Sequence, residues 1–366
     1  MPIAPRSPAP ELERILADCR PRLLVREGSV GELPAPVPDG VGDAAVIYTS
    51  GTTGPAKGVR LTLANLVASA EGCQESLGSD ENDRWLLCLA PHHVGGLSIF
   101  LRSALGNQPL VSLPRFEERA VLDAIASERV TLLSLVPTML IRLLQAGGLE
   151  TLCTLRAILL GGAPAPADLV TAWAAEGLPV CPSYGLTESA SQVTTIPLGR
   201  ARELAGSAGV PHSRARIEIV DGEIVVSGPT IAAGYLNAEI QPSPAGGRFA
   251  TGDLGRLDKA GVLWVLGRRD DAIITGGENV QPEEVEAVLR ACPGIDDAAV
   301  VGRPDAIWGQ VLEAVLVGTA TAETVEAFCR ERLASFKVPR SIRFSTALPR
   351  SEGGKLLRGS LSGSDS

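Results

Sequence analysis

Residues Tyr48 to Val59 read YTSGTTGPAKGV. Val46, Ile47 and Tyr48 lead into the stretch as the end of an apolar strand. Thr49, Ser50, Thr52 and Thr53 then supply hydroxyls, Gly51, Gly54 and Gly58 supply backbone freedom, and Lys57 supplies one cation. Glycine takes positive φ at no steric cost, and successive N–H groups in such a turn form a nest for an anion. The P-loop of nucleotide triphosphatases needs G-x4-G-K-[ST]. Here Lys57 stands between Ala56 and Gly58, so that pattern fails. A flexible surface loop is the plain alternative, but the position directly behind an apolar strand favours a phosphate-holding loop.

From Ala44 to Gly185 short apolar runs alternate with helical spacing. The runs Ala45–Tyr48, Trp85–Leu89, Leu110–Leu113, Leu132–Leu135, Ala157–Leu160 and Val180–Pro182 read as strands. Ala64–Leu77, Arg119–Ser127, Pro137–Gln145 and Ala167–Ala175 read as helices between them, and Glu11–Cys19 as an earlier one. Alternation of this kind predicts a parallel sheet with helices on its faces. Ligands bind such sheets at the carboxyl ends of the strands, which is where the reading places the Tyr48–Val59 loop. After about Ala205 the pattern turns β-rich, with strands Arg216–Val220, Glu223–Ser227 and Val262–Leu266 and an Asp221-Gly222 hairpin turn. After Gly267 it changes again: helices at Gln281–Arg290 and Ala322–Ala334 flank strands Ala298–Gly302 and Leu312–Val317. The fold class predicted is α/β. A large N-terminal domain, residues 1–267, carries flanked parallel sheets and a β-rich subdomain, and a small mobile α+β domain, residues 268–366, follows it.

Composition narrows the function. The 366 residues carry a net charge of −9 with 45% hydrophobic content, which suits packed cores and disfavours nucleic acid as a partner. Seven scattered cysteines without a C-x-x-C pair suit reduced thiols in the cytoplasm. The most apolar stretch, Trp85–Leu105, is broken by Pro91, His92, His93 and Arg102, so no membrane span is expected. Lysine occurs only at 57, 259, 337 and 355 in an otherwise arginine-based chain, which draws attention to each.

Four further stretches stand out: Ser183-Tyr184-Gly185-Leu186-Thr187-Glu188, Thr251-Gly252-Asp253, the run from Gly267 to Val280 (GRRDDAIITGGENV), and Pro349-Arg350-Ser351-Glu352-Gly353-Gly354-Lys355. Singly, each is compatible with an ordinary turn, a capping aspartate or a solvated lysine. Together and in this order, with the phosphate loop, they resemble the adenylate-forming superfamily of acyl-CoA synthetases, carrier-loading adenylation domains and luciferases. The likeness runs from about residue 44 to 358. Cys88–Leu97, Ser134–Thr138, Leu160–Pro166 and Thr187–Gln192 further resemble the o-succinylbenzoate–CoA ligases of menaquinone synthesis.

The resemblance implies an AMP-forming acid–thiol ligase. A carboxylate attacks the α-phosphate of ATP to give acyl-AMP and pyrophosphate, and the thiol of coenzyme A then displaces AMP. The expected substrate is 2-succinylbenzoate; another acyl or aryl acid, or the phosphopantetheine arm of a carrier protein, are the alternatives within the same chemistry, and a nucleotide sensor lies outside it. The resemblance assigns the β- and γ-phosphates to Thr49, Ser50, Gly51, Thr52, Thr53, Gly54 and Lys57. It assigns the adenine slot to Gly161, Gly162, Ala163, Tyr184 and Gly185, the α-phosphate to Thr187, Mg2+ to Glu188, and the ribose to Asp253 and Arg268. Lys355 would serve the α-phosphate and acyl oxygen as the catalytic lysine. His93 stands at the substrate carboxylate or simply starts a helix; Thr138, Ser189, Ser191 and Gln192 would line the acyl pocket. Asp270 would be the hinge, Gly276 and Gly277 would flank the coenzyme A channel, and Lys337 would meet a coenzyme A phosphate or solvent. No Arg or Lys within these motifs is an obvious partner for the second carboxylate of succinylbenzoate. Only 47 residues precede Tyr48, fewer than the family carries, so a reduced first subdomain is expected, with consequences for the acyl pocket wall and for a possible homodimer interface.

Overall fold

The computed structural model describes residues 42–49, 57–78, 80–236, 244, 246–351, 354 and 356–361, with the backbone alone of 23–26, 29–32 and 279. The expected helix Glu11–Cys19, the tip of the opening loop at 50–56, and Lys355 lie outside the described residues. Leu23–Arg26 (β1) and Ser29–Glu32 (β2) form an antiparallel pair. Asp43–Thr49 (β3) and Lys57–Thr62 (β4) form the next, from Asp43↔Thr62 to Thr49↔Lys57. The opening motif is therefore the connection of an antiparallel hairpin. This corrects its expected place at the carboxyl end of a parallel strand. The reason is that Gly58-Val59-Arg60-Leu61 extends as a strand: Val59 and Leu61 are fully buried, while Arg60 turns out to a bidentate pair with Asp43.

Thr62 caps Leu63–Leu77 (α1), its hydroxyl accepting the Asn65 N–H while the Asn65 side chain accepts the Thr62 N–H. Trp85–Leu87 (β5), Val94–Leu105 (α2), Leu110–Ser112 (β6), Glu118–Glu128 (α3), Leu132–Leu135 (β7), Pro137–Gln145 (α4), Leu149–Leu152 (α5), Ala157–Leu160 (β8), Ala167–Ala175 (α6) and Val180–Leu186 (β9) follow in alternation, the strands and α3, α4 and α6 as expected, with α2 and α5 as helices the sequence runs did not single out. β6, β5, β7, β8 and β9 are parallel neighbours. Ser191–Thr195 (β10) returns antiparallel to β9, and Val210–Pro211 (β11) closes a seven-stranded sheet of order β11-β10-β9-β8-β7-β5-β6. Every residue of β5, β7 and β8 is buried, the mark of strands covered on both faces.

Arg216–Val220 (β12) and Glu223–Ser227 (β13) join through Asp221-Gly222, both at positive φ, 50° and 78°. Gly234–Tyr235 (β14) pairs with β4. Arg248–Leu257 (β15) pairs with Leu263–Arg268 (β16), and the four-stranded sheet runs β12-β13-β15-β16. Thr251-Gly252-Asp253, expected in a turn, lies inside β15; Gly252 alone takes a turn-like φ of 75° there.

Ile273–Thr275 (β17), Glu278–Val280 (β18), Pro282–Arg290 (α7), Ile295–Asp305 (β19), Gly309–Gly318 (β20), Ala322–Arg332 (α8) and Ser341–Phe344 (β21) complete the fold. Their sheet runs β18-β17-β20-β19, with β21 parallel to β20. Val285, Leu289, Val325 and Cys329 of the helices pack on Val300, Leu312, Ala314 and Leu316 of the strands. The chain forms two compact units, Met1–Glu218 with Val225–Ala250 and Ile219–Ile224 with Thr251–Ser366. The α/β class, with a large N-terminal and a small C-terminal part, is as expected. Among the described residues no helix is long and apolar enough to cross a membrane.

Candidate functional site

Parallel strands put their carboxyl ends at one edge of the sheet, and the candidate residues of the first unit follow those ends. After β5 come His92 and His93, ring centroids 4.3 Å apart, with His93 exposed at the N-cap of α2. After β7 come Val136 and Pro137, which start α4, and half-buried Thr138. After β8 come Gly161, Gly162 and Ala163; the Gly161 N–H donates to Leu135 O at 3.1 Å. The Ser183 hydroxyl of β9 donates to Leu160 O at 2.8 Å, tying these ends together beside Tyr184. The predicted adenine residues thus share one edge of one sheet. Burial pushes the thiols of Cys88 and Cys181 up to about 12, so neither offers a thiolate here.

Beyond Tyr184 the chain reverses tightly. β9 runs to Leu186, Thr187–Ser189 form one turn of 3-10 helix, and β10 starts at Ser191. Gln192 pairs with Gly185, and a Cβ on Gly185 would lie 2.1 Å from Ser191 O, so only glycine fits. The Ser189 hydroxyl accepts the Leu186 N–H at 3.0 Å and donates to Ser191 O at 2.8 Å. Ser189 is fully buried and committed to the reversal, which holds Thr187 and Glu188, both half-buried, at its apex.

Glu188 is oriented by a residue that the sequence reading passed over. The Tyr235 hydroxyl donates to Glu188 Oε1 at 2.7 Å. Tyr235 stands opposite Val59 in β14, and the Lys57 ammonium lies 5.5 Å from its ring centroid. One phenol therefore links the lysine of the opening motif to the glutamate of the Thr-Glu motif. The available signal was scarcity: the chain has three tyrosines, and the other two, Tyr48 and Tyr184, already lie in motifs.

In the sequence Arg102 of α2 reads only as a break in an apolar stretch. It is buried, and its NH2 donates to Gln192 Oε1 at 2.6 Å and Ser191 Oγ at 2.9 Å. Burial pushes its pKa down. Ser191 and Gln192 thus meet a cation that lies outside every motif quoted above.

In the second unit, Asp253 of β15 stands directly opposite Arg268 of β16, with NH1 3.1 Å from Oδ1. Asp253 is buried; its N–H donates to Thr251 Oγ1 at 3.1 Å, and the Gly252 N–H donates to Glu223 Oε1 at 2.7 Å. These bonds fix the local bend that aims the carboxylate. Arg269–Asp271 form a 3-10 turn holding Asp270, and Gly276-Gly277 make the tight turn between β17 and β18. Lys337 Nζ pairs with Glu284 Oε1 at 2.6 Å.

Comparison with known proteins adds names to this geometry. Residues 29–236 match the family of AMP-binding enzymes, and residues 284–355 match the AMP-binding enzyme C-terminal domain. A 2–succinylbenzoate–CoA ligase of Bacillus cereus (strain ATCC 14579) is 43% identical over 328 residues, covering 86% of this chain and 68% of the relative. The o-succinylbenzoate CoA synthetase of Bacillus subtilis, solved in complex with its acyl-adenylate intermediate, is 40% identical with a TM-score of 0.79, covering 88% of this chain and 69% of its own. The same synthetase solved with ATP and magnesium is 39% identical with a TM-score of 0.79, covering 90% and 72%.

Proposed function

The chain belongs to the AMP-binding enzyme family, and from that premise we propose that it is an ATP-dependent acid–CoA ligase that converts 2-succinylbenzoate to its CoA thioester in menaquinone biosynthesis. The observation that carries the substrate is the shared likeness, across most of the chain, to a ligase and a synthetase of that one acid. The observation that supports the chemistry is the Lys57–Tyr235–Glu188 linkage beside the carboxyl ends of β8 and β9.

In this reading the succinyl carboxylate attacks the α-phosphorus, a C(O)O–P bond forms, and the bond to pyrophosphate breaks. Oxide cannot leave from a carboxylate, whereas AMP can. The coenzyme A thiol, losing its proton, then attacks the acyl carbon, and AMP departs with the former carboxylate oxygen. The loop Thr49–Gly54 with Lys57 holds the departing β- and γ-phosphates through charge-assisted hydrogen bonds. Gly161–Ala163, Tyr184 and Gly185 receive the adenine, Thr187 meets the α-phosphate, and Asp253 with Arg268 holds the ribose. Lys355 places a compact ammonium where charge develops on the α-phosphate and acyl oxygen. His93 faces the reacting carboxylate, and Thr138, Ser191 and Gln192 line the acyl pocket.

Glu188 fits Mg2+. Its Oε1 is fixed by Tyr235, which orients Oε2, and among the described residues no group of three His, Cys, Asp or Glu could cage a metal. Mg2+ is commonly held by one or two carboxylates and the phosphates of a substrate. When bound it offsets phosphate charge.

The domain boundary at 267/268 and the hinge at Asp270 belong to this proposal. The pairing of β16 with β15 puts Leu263–Gly267 with the second compact unit, yet the irregular turn at Arg269–Asp271 follows it directly, as a hinge between two orientations requires. In one orientation Lys355 serves adenylation; in the other Gly276 and Gly277 flank the pantetheine. Cytoplasmic location fits the cysteines, of which all six described are free and five are buried. A homodimer is checked by light scattering. The test of function is a panel of carboxylic acids assayed for pyrophosphate, AMP and CoA thioester. Strongest turnover with 2-succinylbenzoate supports the proposal; a benzoate or fatty acid outperforming it overturns the substrate.

A further inference from the structure

Gly252 sits inside β15 with φ at 75°, a conformation that glycine takes at no steric cost. Its N–H donates to Glu223 Oε1 at 2.7 Å. Beside it, the Thr251 hydroxyl donates to Ile224 O at 2.8 Å and accepts the Asp253 N–H at 3.1 Å. The bend that sets Asp253 against Arg268 is therefore held from β13, by Glu223 and Ile224.

The other oxygen of the same carboxylate faces the turn at Arg269–Asp271. Arg269 NH2 lies 3.2 Å from Glu223 Oε2 and donates to Asp221 O at 3.4 Å. Both acceptors belong to the β12–β13 hairpin, so the first residue of the turn is tied to that hairpin. The last residue, Asp271, has Oδ2 3.4 Å from Arg358 NH1. Asp270 lies exposed between these two anchored neighbours. The Arg269 side chain is 48% exposed, and an ion pair so open to solvent stabilises a fold little. What the carboxylate contributes is geometric. One planar group fixes the strand of Asp253 with one oxygen and the start of the turn with the other.

We propose that Glu223 is a positioning residue that ties the ribose site to the hinge. Through Oε1 it shapes the bend that presents Asp253, and through Oε2 it anchors Arg269 as the fixed side of the rotation. This rests on the ribose and hinge readings of the proposed function.

The test compares Glu223→Gln, Glu223→Ala, Arg269→Ala and the double variant Glu223→Gln/Arg269→Ala in the full chain. Three quantities are read: the KM for ATP in pyrophosphate release, the preference for ATP over 2′-deoxy-ATP, and the rate of thioester formation from supplied acyl-AMP. Glutamine keeps an oxygen for the Gly252 N–H but loses the charge that holds Arg269. Glu223→Gln should therefore keep the KM for ATP and the ribose preference, while thioester formation slows about 2- to 5-fold. Arg269→Ala should match it. The double variant should be no slower than either single one, because all three remove the same pair. Glu223→Ala should in addition raise the KM for ATP about 10-fold and shrink the ribose preference, with the KM for 2-succinylbenzoate unmoved. A glutamate that only braces the sheet would behave differently: Glu223→Ala would melt lower and lose kcat in both half-reactions, with both KM values unmoved. That result, additive losses in the double variant, or a Glu223→Gln as impaired toward ATP as Glu223→Ala overturns the proposal. Asp253→Asn with an unaltered ribose preference overturns the ribose reading beneath it, and Asp270→Pro with thioester formation at the unmodified rate overturns the hinge reading.

Discussion

The Tyr235 hydroxyl donates to Glu188 Oε1 across 2.7 Å. Because Tyr235 also lies under the Lys57 ammonium, one side chain sets the relation between the phosphate-loop cation and the proposed metal carboxylate. Tyr235→Phe keeps the ring and removes the bond. A bond to a charged group contributes about 1.5–3 kcal/mol, so kcat/KM for adenylation should fall about 10-fold or more, with a higher Mg2+ requirement. An unaltered Mg2+ dependence would show that the phenol does not orient Glu188.

The legible parts of this fold are those whose signals are local. Leu132–Leu135 and Ala157–Leu160 are buried at every position, so a continuous apolar run gives their limits directly. Pro137 occupies the first turn of α4, and its fixed φ marks the start. What could not be read is set by pairing over long separations. β4 mixes Lys57, Arg60 and Thr62 with apolar residues and is a strand because β3 and β14 flank it. Gly252 has a turn's φ inside a strand, so Thr-Gly-Asp reads as a turn until β16 is seen beside it. Arg102 reads only as a break in an apolar stretch; its burial depends on Ser191 and Gln192, 89 and 90 positions later. The motif residues stand out in the sequence because each chemical task limits the residue type, and their roles belong to the proposal above.

Asp253 offers a test of the ribose assignment. Asp253→Asn keeps the shape but weakens acceptance from a diol and from Arg268, which lies 3.1 Å away. The KM for ATP should rise about 10-fold while the KM for the acid holds. The preference for ATP over 2′-deoxy-ATP should shrink. Full retention of that preference would place the ribose elsewhere.

Asp83 supports the sheet through a buried bidentate pair with Arg156, Nε to Oδ1 at 2.7 Å and NH2 to Oδ2 at 2.6 Å. Burial raises its carboxyl, but the Arg156 hydrogen bond, the Asp80 N–H and the Arg156 charge together hold it below the ordinary 3.8. A depressed carboxyl contributes stability that is present above about pH 3.8 and lost as the pH falls through the lower folded value. Asp83→Asn should cost about 3 kcal/mol at neutral pH and flatten the stability loss below pH 4, as read by denaturant melts. A variant with the same acid limb would remove Asp83 from that role.

Lys355→Ala separates the half-reactions. Loss of a donor aimed at developing charge costs about 2.7–4 kcal/mol, so adenylate formation should fall by two to three orders of magnitude. Thioester formation from supplied acyl-AMP should survive. Equal loss in both steps would contradict the assigned role.

The central claim is that the acid is activated as an acyl-adenylate, and isotope transfer tests it most directly. 2-Succinylbenzoate labelled with 18O in the succinyl carboxylate is turned over with ATP, Mg2+ and coenzyme A, and the products are weighed by mass spectrometry. Because AMP leaves with the oxygen that attacked the α-phosphorus, one 18O should appear in AMP and none in pyrophosphate. Label in inorganic phosphate, with ADP as the nucleotide product, would mean activation as an acyl phosphate and would contradict the account.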